Sequence, residues 1–265
     1  MKLELIKPVV RVGNSAGVVL PKEWLNGKAR IELVEKPLNI KKDIIEILEP
    51  YLEDIIGIYI VGSYARGEQT EESDVDVLVI SKNTGKKIIS GKYEIIIASL
   101  GAVLSVLKEY PERIYPKFLD AKVILNRGLL EELREIKLTK SSFKPYFKDS
   151  KEMIKRSREL IEMDRKEGNI LESGVVVYSL LLRLRALYMI RSMLKNEKYT
   201  NKDFRNWLID KLRIDNKEYE KLYAIYGAVR DNKKVRDKIS ISLAKNLADI
   251  LQKEINKYGK KKKKA

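Results

Sequence analysis

The chain has no cysteine and no histidine among its 265 residues. Disulfides, thiolate zinc sites, Ser-His triads and histidine general bases are therefore excluded by inspection. Any metal must be held by oxygen ligands, which suits magnesium or manganese. Also lacking is any run of about 18 uncharged apolar residues, so neither a spanning helix nor a membrane partner is expected. The segment Met1-Lys2-Leu3-Glu4-Leu5 sets a base and an acid where a signal peptide needs an apolar core, and no export is expected. A cytoplasmic protein agrees with the missing cysteine.

What is abundant is charge. Lysine and arginine outnumber the acids 54 to 38, a net +16, and removing Lys260 to Lys264 still leaves +11. Such a bias attracts polyanions, so nucleic acid or nucleotide is the natural partner class; a lysine-rich solvated surface is the plainer alternative. With 44% apolar and 35% charged residues the chain is globular, and its length suits roughly two domains.

Residues 1–36 predict a small β unit, with strand-like Leu3-Glu4-Leu5 and Val9-Val10-Arg11-Val12 and a turn over Gly13 to Gly17. A strand at Val18-Val19-Leu20, a helical turn at Lys22 to Leu25 after Pro21, and a last strand over Ala29, Ile31 and Leu33 complete it, and Pro37 closes it. A piece this small should dimerise or pack on the rest of the chain. From Leu38 to about Thr139 helices and strands alternate, with a helix over Ile40 to Leu52 strained at Pro50. Strands are expected at Ile56 to Val61, Asp74 to Ile80, Tyr93 to Ala98 and Ala121 to Leu125. Beyond Lys140 strand signals stop, and helices are predicted near Phe147 to Glu167, Leu171 to Leu194, Lys202 to Leu212, Lys217 to Val229 and Val235 to Tyr258. The fold class is α+β, and Lys260 to Lys264 read as a disordered basic tail.

Chemistry concentrates between Gly62 and Asp76, in Gly62-Ser63-Tyr64-Ala65-Arg66-Gly67 and Ser73-Asp74-Val75-Asp76-Val77. Side chains two apart on a strand share a face, so Asp74 and Asp76 point together while Val75 and Val77 enter the core. Adjacent carboxylates repel unless a cation lies between them, which makes the pair a candidate divalent-metal site. Gly62 permits close backbone approach, and its amide with that of Ser63 can donate to phosphate oxygens. Each fragment alone also suits a plain turn or a strand edge.

Together, at this spacing, they resemble the DNA polymerase β type of nucleotidyltransferase. The resemblance implies transfer of a nucleoside monophosphate from a nucleoside triphosphate, ATP first, to an acceptor hydroxyl, with Asp74 and Asp76 as metal ligands. Gly62, Ser63 and Arg66 would bind the nucleotide. A third carboxylate on a later strand completes such sites. Glu94, the lone acid in Tyr93-Glu94-Ile95-Ile96-Ile97, is taken as that ligand and possible base, with an edge salt bridge as its alternative; Asp120 is the weaker candidate. Where family members carry aspartate this chain has glutamate, which puts catalytic competence in doubt more than fold.

Val10 to Trp24 resembles AbrB and MazE swapped-hairpin units, which implies a homodimer, with Arg11, Asn14 and Lys22 positioned to meet DNA. Tyr226-Gly227-Ala228-Val229-Arg230-Asp231-Asn232 loosely resembles the arginine motif of HEPN bundles, whose ribonuclease members need a following histidine that is missing; that activity is not predicted. Arg183, Arg185 and Arg191 interrupt an apolar helix and are expected to pair with bundle acids or to reach the cleft. The expected plan is 1–37 swapped-hairpin unit, 38–139 nucleotidyltransferase domain, 140–258 helical bundle and 259–265 tail. The acceptor is expected to be a protein hydroxyl, as in adenylyltransferases of toxin and antitoxin systems, then RNA, then a small molecule. From another class, the rival is a DNA-binding regulator whose transferase domain only senses nucleotide.

Overall fold

Among the described residues near the N-terminus strand pairing is confined to one hairpin, in which β1 (Val9–Val12) and β2 (Ser15–Val18) run antiparallel with Val12 opposite Ser15. Gly13 takes φ +58°, which a two-residue hairpin turn needs at its first central position. The turn expected over Gly13 to Gly17 is thus shorter, and Ser15 to Gly17 belong to the strand. A 3-10 turn, Lys22–Trp24, follows Pro21. The strand expected over Ala29 to Leu33 does not form, nor does one at Glu4-Leu5. A strand needs a neighbouring edge, and one copy of the unit offers these segments none. No described residue from 4 to 34 is buried. This computed structural model describes residues 4–34, 38–195, 197 and 199–259; Leu3, Pro37 and Lys260 to Lys264 lie outside them. The chain splits into two compact units, Met1–Asn39 and Ile40–Ala265.

In the second unit α1 (Ile40–Leu48) gives way to a 3-10 turn, Glu49–Tyr51, where Pro50 cannot continue the α-helical ladder. There follow β3 (Ile55–Ile60), α2 (Gly62–Arg66), β4 (Val75–Ser81), β5 (Lys86–Ser90) and β6 (Tyr93–Ser99). Then come α3 (Leu100–Glu109), α4 (Pro111–Asp120), β7 (Lys122–Leu125) and α5 (Arg127–Arg134). The sheet order is β5-β6-β4-β3-β7, with β4 and β6 parallel and the other pairs antiparallel. One face packs Val75, Val77, Val79, Ile95 and Ile97 against Ile44 and Leu48 of α1. The other packs Tyr59, Leu78 and Ile80 against Val103, Phe118 and Leu130 of α3, α4 and α5. Double coverage explains why β3 and β4 are apolar at nearly every position.

The helical part contains α6 (Lys144–Glu167), β8 (Ile170–Leu171), α7 (Gly174–Lys195), α8 (Asn201–Leu212), α9 (Asn216–Arg230), β9 (Ile239–Ser240) and α10 (Ile241–Gly259). β8 and β9 pair, so strands do not end at Lys140 as expected, and the last helix starts at Ile241 because Ile239 and Ser240 are engaged with β8. Its core, including Ile154, Leu180, Leu184, Leu208 and Leu247, is continuous across these helices. Leu138 and Met193 pack against both this core and the α3–α5 face of the sheet, so sheet and bundle adhere directly. Among the described residues no helix is long and apolar enough to cross a membrane.

Candidate active site

The candidate site lies at the end of the sheet where β3 finishes and β4 and β6 begin. The Val61 amide donates to the Asp76 carbonyl at 2.9 Å, which brings the following Gly62 beside Asp76. Gly62 has φ +69°, and a Cβ built on it would lie 2.2 Å from Asp76 Oδ2. Only glycine fits there, on steric and on conformational grounds. Gly62 and Ser63 open α2, which has no side-chain cap at its start. Gly67 ends it in the left-handed conformation and donates to Ser63 O. Lys122 Nζ on β7 donates to Tyr64 O at 2.8 Å, tying the short helix to the edge of the sheet.

Asp76 is the second residue of β4, and Asp74 sits exposed one residue before that strand rather than within it. Asp76 shares its face with Leu78 and Ile80, under α3 and α4. Its neighbour in register on the parallel strand β6 is Glu94. Burial, then the charge of Glu94, push the Asp76 carboxyl above its ordinary range; Lys117 of α4 pulls the other way, Asp74 adds to the rise, and Arg66 opposes it. Glu94 Oε1 accepts from Lys87 Nζ on the edge strand β5 at 2.8 Å. The edge ion pair weighed as the alternative for Glu94 thus coexists with its place beside Asp76. With both partners more than a third exposed or nearly so, at 55% and 35%, such a pair holds only weakly.

Arg66 is no solvated turn residue, being only 16% exposed at its side chain. Its Nε donates to Glu68 Oε2 at 2.8 Å, and its Nη1 lies 3.5 Å from Asp120 Oδ2 at the end of α4. Asp120, the weaker candidate for a metal ligand, is thereby a partner of Arg66. Glu68 and Lys117 were not singled out from sequence. Only their spacing from Arg66 and from Asp120 could have drawn attention to them.

Three acids grouped tightly enough to cage an ion alone are not found among the described residues. The donor set nonetheless fits a hard divalent cation: all its atoms are oxygens, like charges crowd Asp76, and the absence of a Cβ on Gly62 avoids a clash with Asp76 Oδ2. Magnesium commonly takes one or two carboxylates and completes its shell with water and substrate phosphate.

In the separate N-terminal unit Arg11, Asn14 and Lys22 are all exposed, and Arg11 Nε donates to Gly13 O at 3.0 Å. Among the described residues the bundle arginines Arg183, Arg185 and Arg191 form no ion pair with an acid, the first of the two expected arrangements. Arg183 donates to Ser179 Oγ at 3.2 Å, Arg185 to the Tyr199 hydroxyl at 2.9 Å, and Arg191 lies 5.8 Å from the Tyr188 ring centroid. Hydroxyls and rings are the contacts of these arginines instead, although the charge of Asp149 still acts on Arg183. Arg230, in the stretch compared with HEPN bundles, pairs with the adjacent Asp231 at 2.7 Å at the end of α9.

The family model described as "Nucleotidyltransferase domain" matches residues 41–177, just over half of the chain. The "Putative protein adenylyltransferase MJ1305" of Methanocaldococcus jannaschii is 34% identical over 125 residues, 44% of this chain and 82% of that protein. The "Putative protein adenylyltransferase MJ0141" of the same organism is 41% identical over 81 residues, 26% of this chain and 79% of that protein. Among solved structures, a nucleotidyltransferase-like protein from Exiguobacterium sibiricum is 17% identical with a TM-score of 0.37, over 83% of this chain and 78% of that one. The spectinomycin adenyltransferase AAD(9) from Enterococcus faecialis, solved with ATP and spectinomycin, is 15% identical with a TM-score of 0.42, over 83% and 98%. At those scores neither overlay places a residue of the site. The family match and the coverage of the two archaeal relatives decide it: this chain belongs to the nucleotidyltransferase domain family and is an enzyme of that class.

Proposed function

We propose that the chain transfers a nucleoside monophosphate, AMP first, from a nucleoside triphosphate to a hydroxyl on a protein. The observation that carries this reading is the juxtaposition of Asp76 and Glu94 across β4 and β6, with the Gly62 backbone against the Asp76 carboxylate. Asp74 and Asp76 hold the divalent cation, magnesium or manganese, with Glu94 as the third oxygen donor on that face. When bound there, the cation supplies positive charge to the attacking and leaving oxygens of an in-line displacement.

The chain's own residues do the rest. The amides of Gly62 and Ser63 donate to phosphate oxygens, and Arg66, in the last turn of α2, orients them. The acceptor oxygen attacks the α-phosphorus, its proton passes to Glu94, and the bond to pyrophosphate breaks. Lys87 lets go of Glu94 at that step, which a weak exposed ion pair permits. The names of the two archaeal relatives support adenylyl transfer to protein; RNA and small-molecule hydroxyls are the other acceptor classes to be tried, and a role among toxins and antitoxins belongs with the protein acceptor. The regulator reading loses ground, because an acid does stand beside Asp76.

The domain plan goes with this reading: residues 38–139 hold the nucleotide and 140–258 shape the acceptor side. Residues 1–37 pair two copies, since Val9, Val12, Val19, Ile31 and Leu33 are all more than half exposed in a single copy. DNA contact through Arg11, Asn14 and Lys22 is the further role open to that unit. The decisive experiment incubates the chain with each labelled nucleoside triphosphate, magnesium and cell extract, and asks whether label enters protein, RNA or small solutes. Label in none of them, or label undiminished with Asp74→Asn and Asp76→Asn, would overturn the proposal.

A further inference from the structure

Beyond their apolar packing, sheet and bundle are joined by a polar chain that begins at Arg66. Glu68, two residues further on, reaches the first turn of α8, where its Oε1 accepts from the Asn201 backbone amide at 3.2 Å and its Oε2 from Asn201 Nδ2 at 2.8 Å. The same Oε2 accepts from Arg66 Nε at 2.8 Å. On its far side, Asn201 Oδ1 accepts from the Tyr199 hydroxyl at 2.9 Å and from Arg185 Nη2 at 3.3 Å, and Arg185 Nε donates to that hydroxyl at 2.9 Å.

Asn201 is the first residue of α8, so its amide has no acceptor within the helix. Thr200 caps α8 through the Asp203 amide, which leaves the Asn201 amide for Glu68. A carboxylate is also the group best suited to the positive end of a helix. Glu68 therefore has a fixed seat, gripped by two donors of one residue that is itself gripped from behind by Arg185 and Tyr199. Should Glu68 leave that seat and Arg66 with it, the contact of Arg66 that remains among the described residues is the longer one to Asp120.

We propose that Asn201 is a positioning residue for the nucleotide site: held by Arg185 and Tyr199, it fixes Glu68, and Glu68 fixes the rotamer of Arg66. The guanidinium then presents its remaining N–H groups in one direction before a triphosphate arrives, and the ordering of a long side chain is not left to the binding step. This inference rests on the nucleotidyl-transfer reading, in which Arg66 meets phosphate. It assigns to the bundle a part in nucleotide binding, through a helix N-terminus far from the motif in sequence.

The test uses the full chain with ATP and magnesium, followed by calorimetry, transfer kinetics and thermal melting. Asn201→Asp replaces the donor facing Glu68 with a carboxylate and keeps an acceptor for Tyr199 and Arg185. The expected result is ATP binding weakened about 10-fold, within the range that groups in direct contact show, with KM raised likewise and maximal turnover moved by less than about 2-fold. Adding Glu68→Gln restores a donor and acceptor of reversed polarity and should recover most of the affinity. Should Asn201→Asp not fold, Tyr199→Phe removes a single hydroxyl, and a weakening of about 3-fold is expected from it. Unchanged ATP affinity with a lowered melting temperature would show a mere fastener between sheet and bundle and overturn the inference, leaving transfer intact. If instead Asn201→Asp weakens ATP binding while Asp76→Asn leaves turnover untouched, the positioning stands and the place of Asp76 in the transfer site falls. A wild-type chain that binds no ATP refutes both.

Discussion

Asp76→Asn should stabilise the metal-free protein while abolishing transfer. Burial and the neighbouring acids hold the Asp76 carboxyl above its unfolded range. An acid shifted that way binds more proton in the folded state, so its contribution to stability is best below the unfolded pKa and worsens as pH rises through the folded one. At neutral pH the charged form is therefore a standing cost, which the amide removes. Adjacent strands are about 4.8 Å apart, so charges about 5 Å apart interact by ~3 kcal/mol at an effective dielectric of 20 and by ~1 kcal/mol in water. Glu94 is 35% exposed and paired with Lys87, and Lys117 and Arg66 oppose the repulsion, so the lower figure applies. For a unit of this size ~1 kcal/mol is about 2–4 °C in melting temperature. Scanning calorimetry in chelator at pH 7 should show the variant melting higher by that margin, with the gain fading towards pH 4. Magnesium with ATP should raise the wild type and not the variant. A variant that melts below the wild type in chelator at pH 7 would refute the electrostatic reasoning outright.

Gly62→Ala meets both a left-handed backbone and a carboxylate oxygen 2.2 Å from the new Cβ, so transfer should be lost and the melting temperature lowered; wild-type turnover in that variant would remove the close approach from the site's description. Glu112 in α4 is 9% exposed, its Oε2 has no partner among the described residues, and burial raises its carboxyl. Glu112→Gln should therefore melt about 2–4 °C higher at pH 7, for ~1 kcal/mol, with the difference closing as the pH falls to where both forms are neutral; equal melting at both pH values would count against it. Deleting residues 1–36 should turn a dimer into a monomer by sedimentation, and a monomeric full chain would show that the exposed apolar residues of the hairpin are not an interface between copies.

Much of the sheet was legible because its strands are buried on both faces. Val75, Val77 and Val79 face α1 while Leu78 and Ile80 face α3 and α4, and such runs stand out from their surroundings. β5 was not, since Lys86-Lys87-Ile88-Ile89-Ser90 is a mostly exposed edge strand whose lysines guard it against further pairing and erase the apolar signal. Helices α3 to α5 hide in a stretch with four breakers, Gly101, Pro111, Pro116 and Gly128, although Gly101 and Gly128 lie in the first turns of α3 and α5 and Pro111 merely opens α4. At the site, Glu94 as the companion of Asp76 was expected from the family resemblance, while strand periodicity gave only the face on which each side chain lies. The seat of Glu68 on Asn201 could not be foreseen, because residues 133 apart in the chain meet only through tertiary packing, and neither belongs to a periodic pattern.

The two sets of charge at the site are balanced in opposite senses. Around Asp76, burial and then the like charges of Glu94 and Asp74 outweigh Lys117 and Arg66, as its raised carboxyl records, so this side would gain when a cation arrives. Arg66 instead lies between two carboxylates, Glu68 and Asp120. A guanidinium has five N–H groups, and among the described residues these two contacts engage its Nε and Nη1 ends. An arriving phosphate would therefore meet a cation whose direction is already set and whose charge is partly offset, which favours orientation over raw attraction. The metal side of the site would supply affinity and the arginine side alignment. In-line displacement needs both, because charge stabilises the phosphoryl oxygens only when attacking and leaving atoms are held in line.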